Sequence, residues 1–287
     1  MERILLATDG SDNAGGALRA AVQLARASGA ELHVVHAWLL APAPTFPYPP
    51  VGYPDVYREQ AEAVLTREGR RIAAAGARVT QFHLRTGRPA DEVTDLAREL
   101  TADLIVVGSR GRGTIQRLIL GSVAEGIVHS ARCPVLVVRG GEHGWPPQQV
   151  LVGDDGSDEA LAVAELALTI AGALGIPARL LCALPEPPAT AHVQPDTAAE
   201  MTLRAEALLE ERAAELERRV GVRPEVEATV GSPAACLLEA AEAPGGTTLI
   251  AVGSRGLGRI ARLRLGSVST SVLHAAAEPV LVGAAVD

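Results

Sequence analysis

The 287-residue chain contains no lysine, so all 26 of its basic residues are arginine. That absence excludes a lysine-bearing P-loop and any Schiff-base chemistry. A phosphate site must instead use arginine, backbone amides or a metal. Aromatic residues make up only 2% of the chain, which removes the stacking platforms of single-strand nucleic-acid binders. Against 34 acidic residues the formal net charge is −8, the wrong sign for general nucleic-acid binding through counterion release. The three cysteines, Cys133, Cys182 and Cys236, form no CxxC pair. Neither a disulfide framework nor a zinc site is expected, and the thiols read as small buried hydrophobes. No apolar run approaches the ~20 residues needed to span a bilayer. The N-terminal MERILLATDG enters a strand-like run without a signal peptide's apolar region, so a cytoplasmic protein is expected.

What remains is a chain that is 48% hydrophobic and 21% charged, with a core that must be built from Ala, Val, Leu and Ile. Its length suits two domains of roughly 140 residues each. The sequence is internally repeated. Residues 108–138 align with 253–283 at a constant offset of 145, with 18 of 31 positions identical, too many for coincidence of composition. Upstream, 5-LLATDGSD-12 matches 151-LVGDDGSD-158, and 87-GRPA-90 matches 231-GSPA-234. Only one-residue slips separate these matches, so the whole unit is duplicated. The domains are expected at 1–140 and 149–287, joined by the Gly/Pro-rich 140-GGEHGWPPQ-148.

Each unit reads as alternating strands and helices. In the first, ILLAT (4–8) is a short apolar strand. Ser11 and Asp12 then cap a helix that places Ala17, Ala20, Ala21, Leu24 and Ala25 on one face. LHVVHAWL (32–39) is a second strand, followed by the Pro-rich loop 41–54 and an amphipathic helix from about 55 to 75. RVTQFHLRT (78–86) alternates as a strand, and 89-PADEVTDLAREL-100 opens with proline at the first helical turn. DLIVVG (103–108), a helix over about 121–130 and PVLVV (134–138) complete the unit. Apolar strands separated by helices predict a doubly wound α/β fold with a parallel sheet covered on both faces. Such sheets bind ligands outside the carboxyl ends of their strands.

The stretch 108-GSRGRGTIQRLILGS-122 begins directly after the fourth strand, on that edge, and returns as 253-GSRGLGRIARLRLGS-267. Gly108, Gly111 and Gly113 would let the loop turn tightly and gather backbone N–H groups into an anion nest. Gly121 and Ser122 open the next helix, where free N–H groups and the dipole form a second anion site. Arg110 and Arg112 supply charge. Asp9, on the same edge, suits the ribose hydroxyls of a nucleotide, and backbone near Ala37 suits an adenine edge. Spacing alone carries this as far as a phosphate or nucleotide, and a purely structural role for the glycines stays open.

Both glycine stretches resemble the G-x2-G-x9-G-[S/T] motif of the universal stress proteins. TDGS and DDGS after strand one, LHVVHAW at strand two, GxPA before the third helix and 133-CPVLVV-138 fit the same family. The resemblance covers nearly all of both halves. It implies a tandem pair of Rossmann-like, adenine nucleotide alpha hydrolase-like domains, each a five-stranded parallel sheet of order 3-2-1-4-5. Such domains usually pair through strand five, so the two halves are expected to pair within the chain, with a further homodimer and an unidentified protein partner left open. It further implies ATP, with or without Mg2+, as the ligand. Carried over by position, Asp9, Ala37, Val107, Gly108, Arg110, Gly111, Gly121, Ser122 and Val123 would form the first site. Asp155, Ala183, Val252, Gly253, Arg255, Gly256, Gly266, Ser267 and Val268 would form the second. One departure stands out: Asp154 replaces Thr8 and adds a carboxylate, which is expected to weaken the second site for a polyanion if it faces the pocket.

Other candidates are bland. None of the seven histidines forms a metal motif, and His129 and His274 read as structural or surface residues. Ser11 and Ser157 have no neighbouring base and read as helix caps. The Arg/Glu alternation in 204-RAEALLEERAAELERR-219 reads as a solvated helix face. A nucleotide-binding regulatory module is the favoured function. A slow ATPase, for which no general base is evident, and a scaffold that binds nothing are the alternatives.

Overall fold

In the computed structural model of the chain, the described residues are 1–39, 53–109, 120–139, 145–185, 195–242, 246–254 and 265–284. The Pro-rich loop and most of each glycine stretch, including Arg110, Gly111, Gly113, Arg255 and Gly256, lie outside them. The chain divides into two compact units, Met1–Trp145 and Pro146–Asp287.

The first unit runs β1 (Arg3–Ala7), a single 3-10 turn (Asp12–Ala14), α1 (Gly15–Ser28), β2 (Glu31–Trp38), α2 (Tyr53–Ala74), β3 (Gln81–Thr86), α3 (Pro89–Glu99), β4 (Leu104–Gly108), α4 (Ser122–Ser130) and β5 (Val135–Val138). The second runs β6 (Gln149–Gly153), α5 (Asp158–Leu174), β7 (Ala178–Leu184), α6 (Pro195–Val220), β8 (Glu225–Val230), α7 (Pro233–Ala241), β9 (Thr248–Val252), α8 (Ser267–Ala275) and β10 (Val280–Val282). Within each unit every strand pair is parallel. The orders are β3-β2-β1-β4-β5 and β8-β7-β6-β9-β10, the doubly wound arrangement with its switch point between the first and fourth strands.

The core follows from the strand sequences. Ile4, Leu5 and Leu6 of β1 and Leu104, Ile105 and Val106 of β4 are fully buried, because these central strands are covered on both faces. Burial of each such side chain contributes about 1.5–3 kcal/mol. Helices α1 and α5 pack over the central strands with faces made largely of alanine, which lets them lie close to the sheet without aromatic bulk. On the other side, α3 packs on α4 and α7 on α8. The edge strand β3 starts at Gln81 rather than at residue 78, since residues 77–79 approach the sheet without pairing; Thr80 makes the first bond, to the carbonyl of Leu32.

Two details differ from the sequence reading. Ser157 caps α5 by accepting a hydrogen bond from the Ala160 N–H at 3.1 Å, but Ser11 caps nothing. Its hydroxyl turns back and donates to Asp9 Oδ1 at 2.7 Å, and a 3-10 turn intervenes before α1. Secondly, α6 is not merely a solvated face. Ala205, Leu209, Ala213 and Leu216 are buried along one side, and Arg212 lies among them in an ion pair with Asp154.

Candidate functional site

At the carboxyl edge of the second sheet, the described residues line a cavity of about 370 Å³. Its walls are the ends of β6 and β7, the end of β9 and the first turns of α7 and α8. Seven of the expected residues meet there: Asp155, Ala183, Val252, Gly253, Gly266, Ser267 and Val268. In the first unit Asp9, Ala37, Val107, Gly108, Gly121, Ser122 and Val123 occupy the matching places at the strand ends and helix start.

The glycine stretch is pinned at both ends in the same way in both units. Gly121 N–H donates to the Ser109 carbonyl at 2.8 Å, and Gly266 N–H to the Ser254 carbonyl at 2.6 Å. Ser109 and Ser254 are buried beneath the bridge. These bonds join the residue after the fourth strand to the residue before the next helix in each unit. Gly121 and Gly266 hold ordinary extended backbone (φ −71, ψ 145 and φ −74, ψ 161) as N-caps of α4 and α8, and neither helix has a side-chain cap. Their first-turn N–H groups thus have no capping side chain, and in the second unit the start of α8 lines the cavity with the positive end of its dipole. Glycine at these positions is therefore not required by backbone conformation. In the second unit Ser269 Oγ donates to the Gly253 carbonyl at 2.5 Å, fixing α8 against the end of β9.

Left-handed backbone occurs elsewhere, in the turn after the first strand. Gly10 (φ +70) and Gly156 (φ +84) allow the chain to reverse directly after Asp9 and Asp155. Each aspartate accepts a hydrogen bond from the N–H two residues on, from Ser11 at 3.0 Å and from Ser157 at 3.1 Å, so the turn sets the carboxylate's direction.

Asp154 lines the cavity but does not present a bare charge to it. It is buried, its Oδ1 accepts from Gly156 N–H at 2.7 Å, and its Oδ2 lies 3.2 Å from Arg212 Nε. Burial pushes its carboxyl above the ordinary range, while the Gly156 N–H and Arg212 oppose the rise. The first-turn charges also favour the second unit, since α4 carries Glu125 there and α8 carries no acid. The carboxylate that Asp154 adds at the second site is thus paired with Arg212 rather than bare. Nearby, burial and the charges of Asp154 and Asp155 raise the Cys182 thiol, and burial pushes Cys133 up to about 12. Among the described residues no group of three or more His, Cys, Asp or Glu side chains is arranged to hold a metal. No helix among them is long and apolar enough to cross a membrane.

Sequence reasoning missed three residues that hold the aspartate turns: Arg67, Glu68 and Arg212. Only the amphipathic phase of α2 and α6 could have signalled them, by placing a charge on the buried face.

The fold and the edge cavity define a tandem doubly wound α/β protein with a cavity at the carboxyl ends of the strands of its second unit. The universal stress protein family model matches residues 1–139 and again 147–283, so the chain belongs to that family. A universal stress protein of Mycobacterium tuberculosis is 31% identical over 251 residues, covering 82% of each chain. One from Thermus aquaticus is 39% identical over 136 residues, 47% of this chain and 97% of its own. The crystal structure of a universal stress protein from Archaeoglobus fulgidus superposes with a TM-score of 0.72 at 26% identity, covering 98% of both chains.

Proposed function

We propose that each unit binds an adenine nucleotide, ATP in the first instance, and that the chain acts as a regulatory module whose bound nucleotide is read by a protein partner. One observation carries this reading: the cavity that gathers Asp155, Ala183, Gly253 and the uncapped N-terminus of α8. A helix N-terminus flanked by a serine hydroxyl suits phosphate, and Arg110 or Arg255 would add charge from the loop. Asp155 suits ribose hydroxyls, which donate to a carboxylate, and the apolar walls Leu181, Val252 and Leu237 suit a base. Any Mg2+ would arrive with the phosphates, its charge offsetting theirs. These residues bind and orient; none is positioned as a general base.

The test uses the full chain and a Ser122→Asp, Ser267→Asp variant. Aspartate in the first helical turn favours the helix dipole, so the fold is retained, yet it repels a polyanion. Adenine nucleotide released on denaturing the parent, or taken up from millimolar ATP, and absent from the variant is the expected result. No uptake by the parent refutes nucleotide binding. Phosphate release in the same samples reads turnover.

A further inference from the structure

Helices α2 and α6 align at an offset of 144, where 61-AEAVL-65 matches 205-AEALL-209 and the buried Ile72 matches the buried Leu216. In that register Glu68 matches Arg212 and Arg67 matches Glu211. At the end of the first strand, Thr8 matches Asp154. One unit thus has a glutamate on the helix and a threonine on the strand, and the other has an arginine and an aspartate.

The geometry shows that these exchanges compensate. In the first unit Gly10 N–H donates to Thr8 Oγ1 at 3.0 Å, and that hydroxyl donates to Glu68 Oε2 at 3.3 Å. Glu68 is 0% exposed, and its Oε1 lies 3.1 Å from Arg71 Nη1 and 4.0 Å from Arg67 Nε. Arg67 in turn donates to the Gly10 carbonyl. In the second unit Gly156 N–H donates directly to Asp154 Oδ1, so no hydroxyl relay is needed. Asp154 is 3% exposed and pairs with Arg212, which donates to the Ser157 carbonyl at 3.2 Å. Each unit therefore has one buried carboxylate near the end of the first strand, paired with arginine from the second helix, Arg67 and Arg71 in one unit and Arg212 in the other, and two similar holds on the turn. The turn N–H is bonded to the acid, directly or through Thr8, and a turn carbonyl is bonded to the arginine.

We infer that Glu68 with Arg67 and Arg71, and Asp154 with Arg212, are one positioning device for the turns that aim Asp9 and Asp155, its carboxylate supplied by the second helix in one unit and by the first strand in the other. A buried charge is costly alone and tolerable when paired and hydrogen-bonded, so acid, arginine and turn must change together. Arg67, Glu68, Arg71 and Arg212 act on ligand only through the aspartates, which makes them positioning residues, while Asp154 also lines the cavity. In this respect the inference rests on the nucleotide reading, whereas the exchange itself does not.

The experiment moves the first unit's carboxylate from the helix to the strand, where the second unit has it, using Thr8→Asp, Glu68→Ala and the double variant of the full chain. A Ser267→Asp background restricts binding to the first site. Thr8→Asp sets a second carboxylate against Glu68, and Glu68→Ala leaves the hydroxyl and two arginines without their acid. Each single variant should lower the melting temperature and weaken labelled ATP binding in equilibrium dialysis roughly tenfold, a coupling usual for residues in one network. The double variant should return to within about threefold of the parent. Losses that simply multiply in the double variant overturn the exchange. Melting temperatures that recover while affinity never moves, measured well below every melting transition, overturn the positioning role. If the parent binds no ATP, the nucleotide reading and the positioning role fall together, and the melting temperatures alone still decide whether the two arrangements are equivalent.

Discussion

Gly10 and Gly156 share a left-handed backbone and differ in their surroundings, so replacing each with alanine separates two costs. A Cβ at Gly156 meets nothing within 4 Å, and Gly156→Ala should lose only the backbone preference, about 1–2 kcal/mol. A Cβ at Gly10 would overlap the Arg67 guanidinium and lie 2.7 Å from Val64 Cγ1. Arg67 can swing away because its side chain is half exposed, but its bond to the Gly10 carbonyl is then lost. Val64, buried on α2, must also shift. Together these add about 1–2 kcal/mol to the backbone cost. A unit of about 145 residues unfolds with roughly 0.3 kcal/mol per kelvin of entropy, so each kcal/mol moves its melting temperature by about 3 °C. Calorimetry of the two single variants should show drops of about 3–6 °C for Gly156→Ala and about 6–12 °C for Gly10→Ala. Equal drops, or a larger one at Gly156, would refute the claim that α2 grips the first turn sterically.

Four further outcomes follow from individual bonds. Ser157→Ala removes a working N-cap and should cost about 1 kcal/mol in chemical denaturation, while Ser11→Ala, which caps nothing, should cost less. Ser269→Ala removes the bond to the Gly253 carbonyl and should cost about 1 kcal/mol, a loss absent at the matching Ala124, whose unit lacks that bond. Cys133, held protonated by burial, should resist alkylation at pH 8 in the native chain and react once guanidinium unfolds it. Asp154 has a folded pKa above its ordinary 3.8, so its contribution to stability is fully present below that value and is lost as pH rises through the raised one. Denaturation midpoints of the parent, relative to Asp154→Asn, should therefore fall as pH rises above about 4; a parent that gains on the variant over that range would contradict the assignment.

The duplication, the βα alternation and the placement of the glycine stretch on the carboxyl edge were legible because each is a one-dimensional pattern. Strands such as LIVVG are apolar throughout because both faces are covered, and a helix that starts at Gly-Ser announces itself locally. Where two local rules competed, reading by type failed. Ser11 has the chemistry of an N-cap, but Asp9 lies two residues away and takes its hydroxyl, while Ser157 keeps its capping bond beside the matching Asp155. Propensity is the same in both, so only the turn's geometry decides between them.

Charge compensation is the harder case, because it is a property of space rather than of sequence. Read along the chain, Asp154 looks like an added negative charge at a phosphate site, and Glu68 looks like one more acid on a polar helix. Folded, both lie near the end of the first strand of their unit, and each is paired with arginine from the second helix. The two copies thus act as internal controls on each other. A feature retained by identity, such as the Gly-to-Ser bridge at the base of the loop, shows which atoms are needed. A feature retained by exchange, such as the buried acid, shows that a charge at that point is needed and that the residue supplying it is free to change.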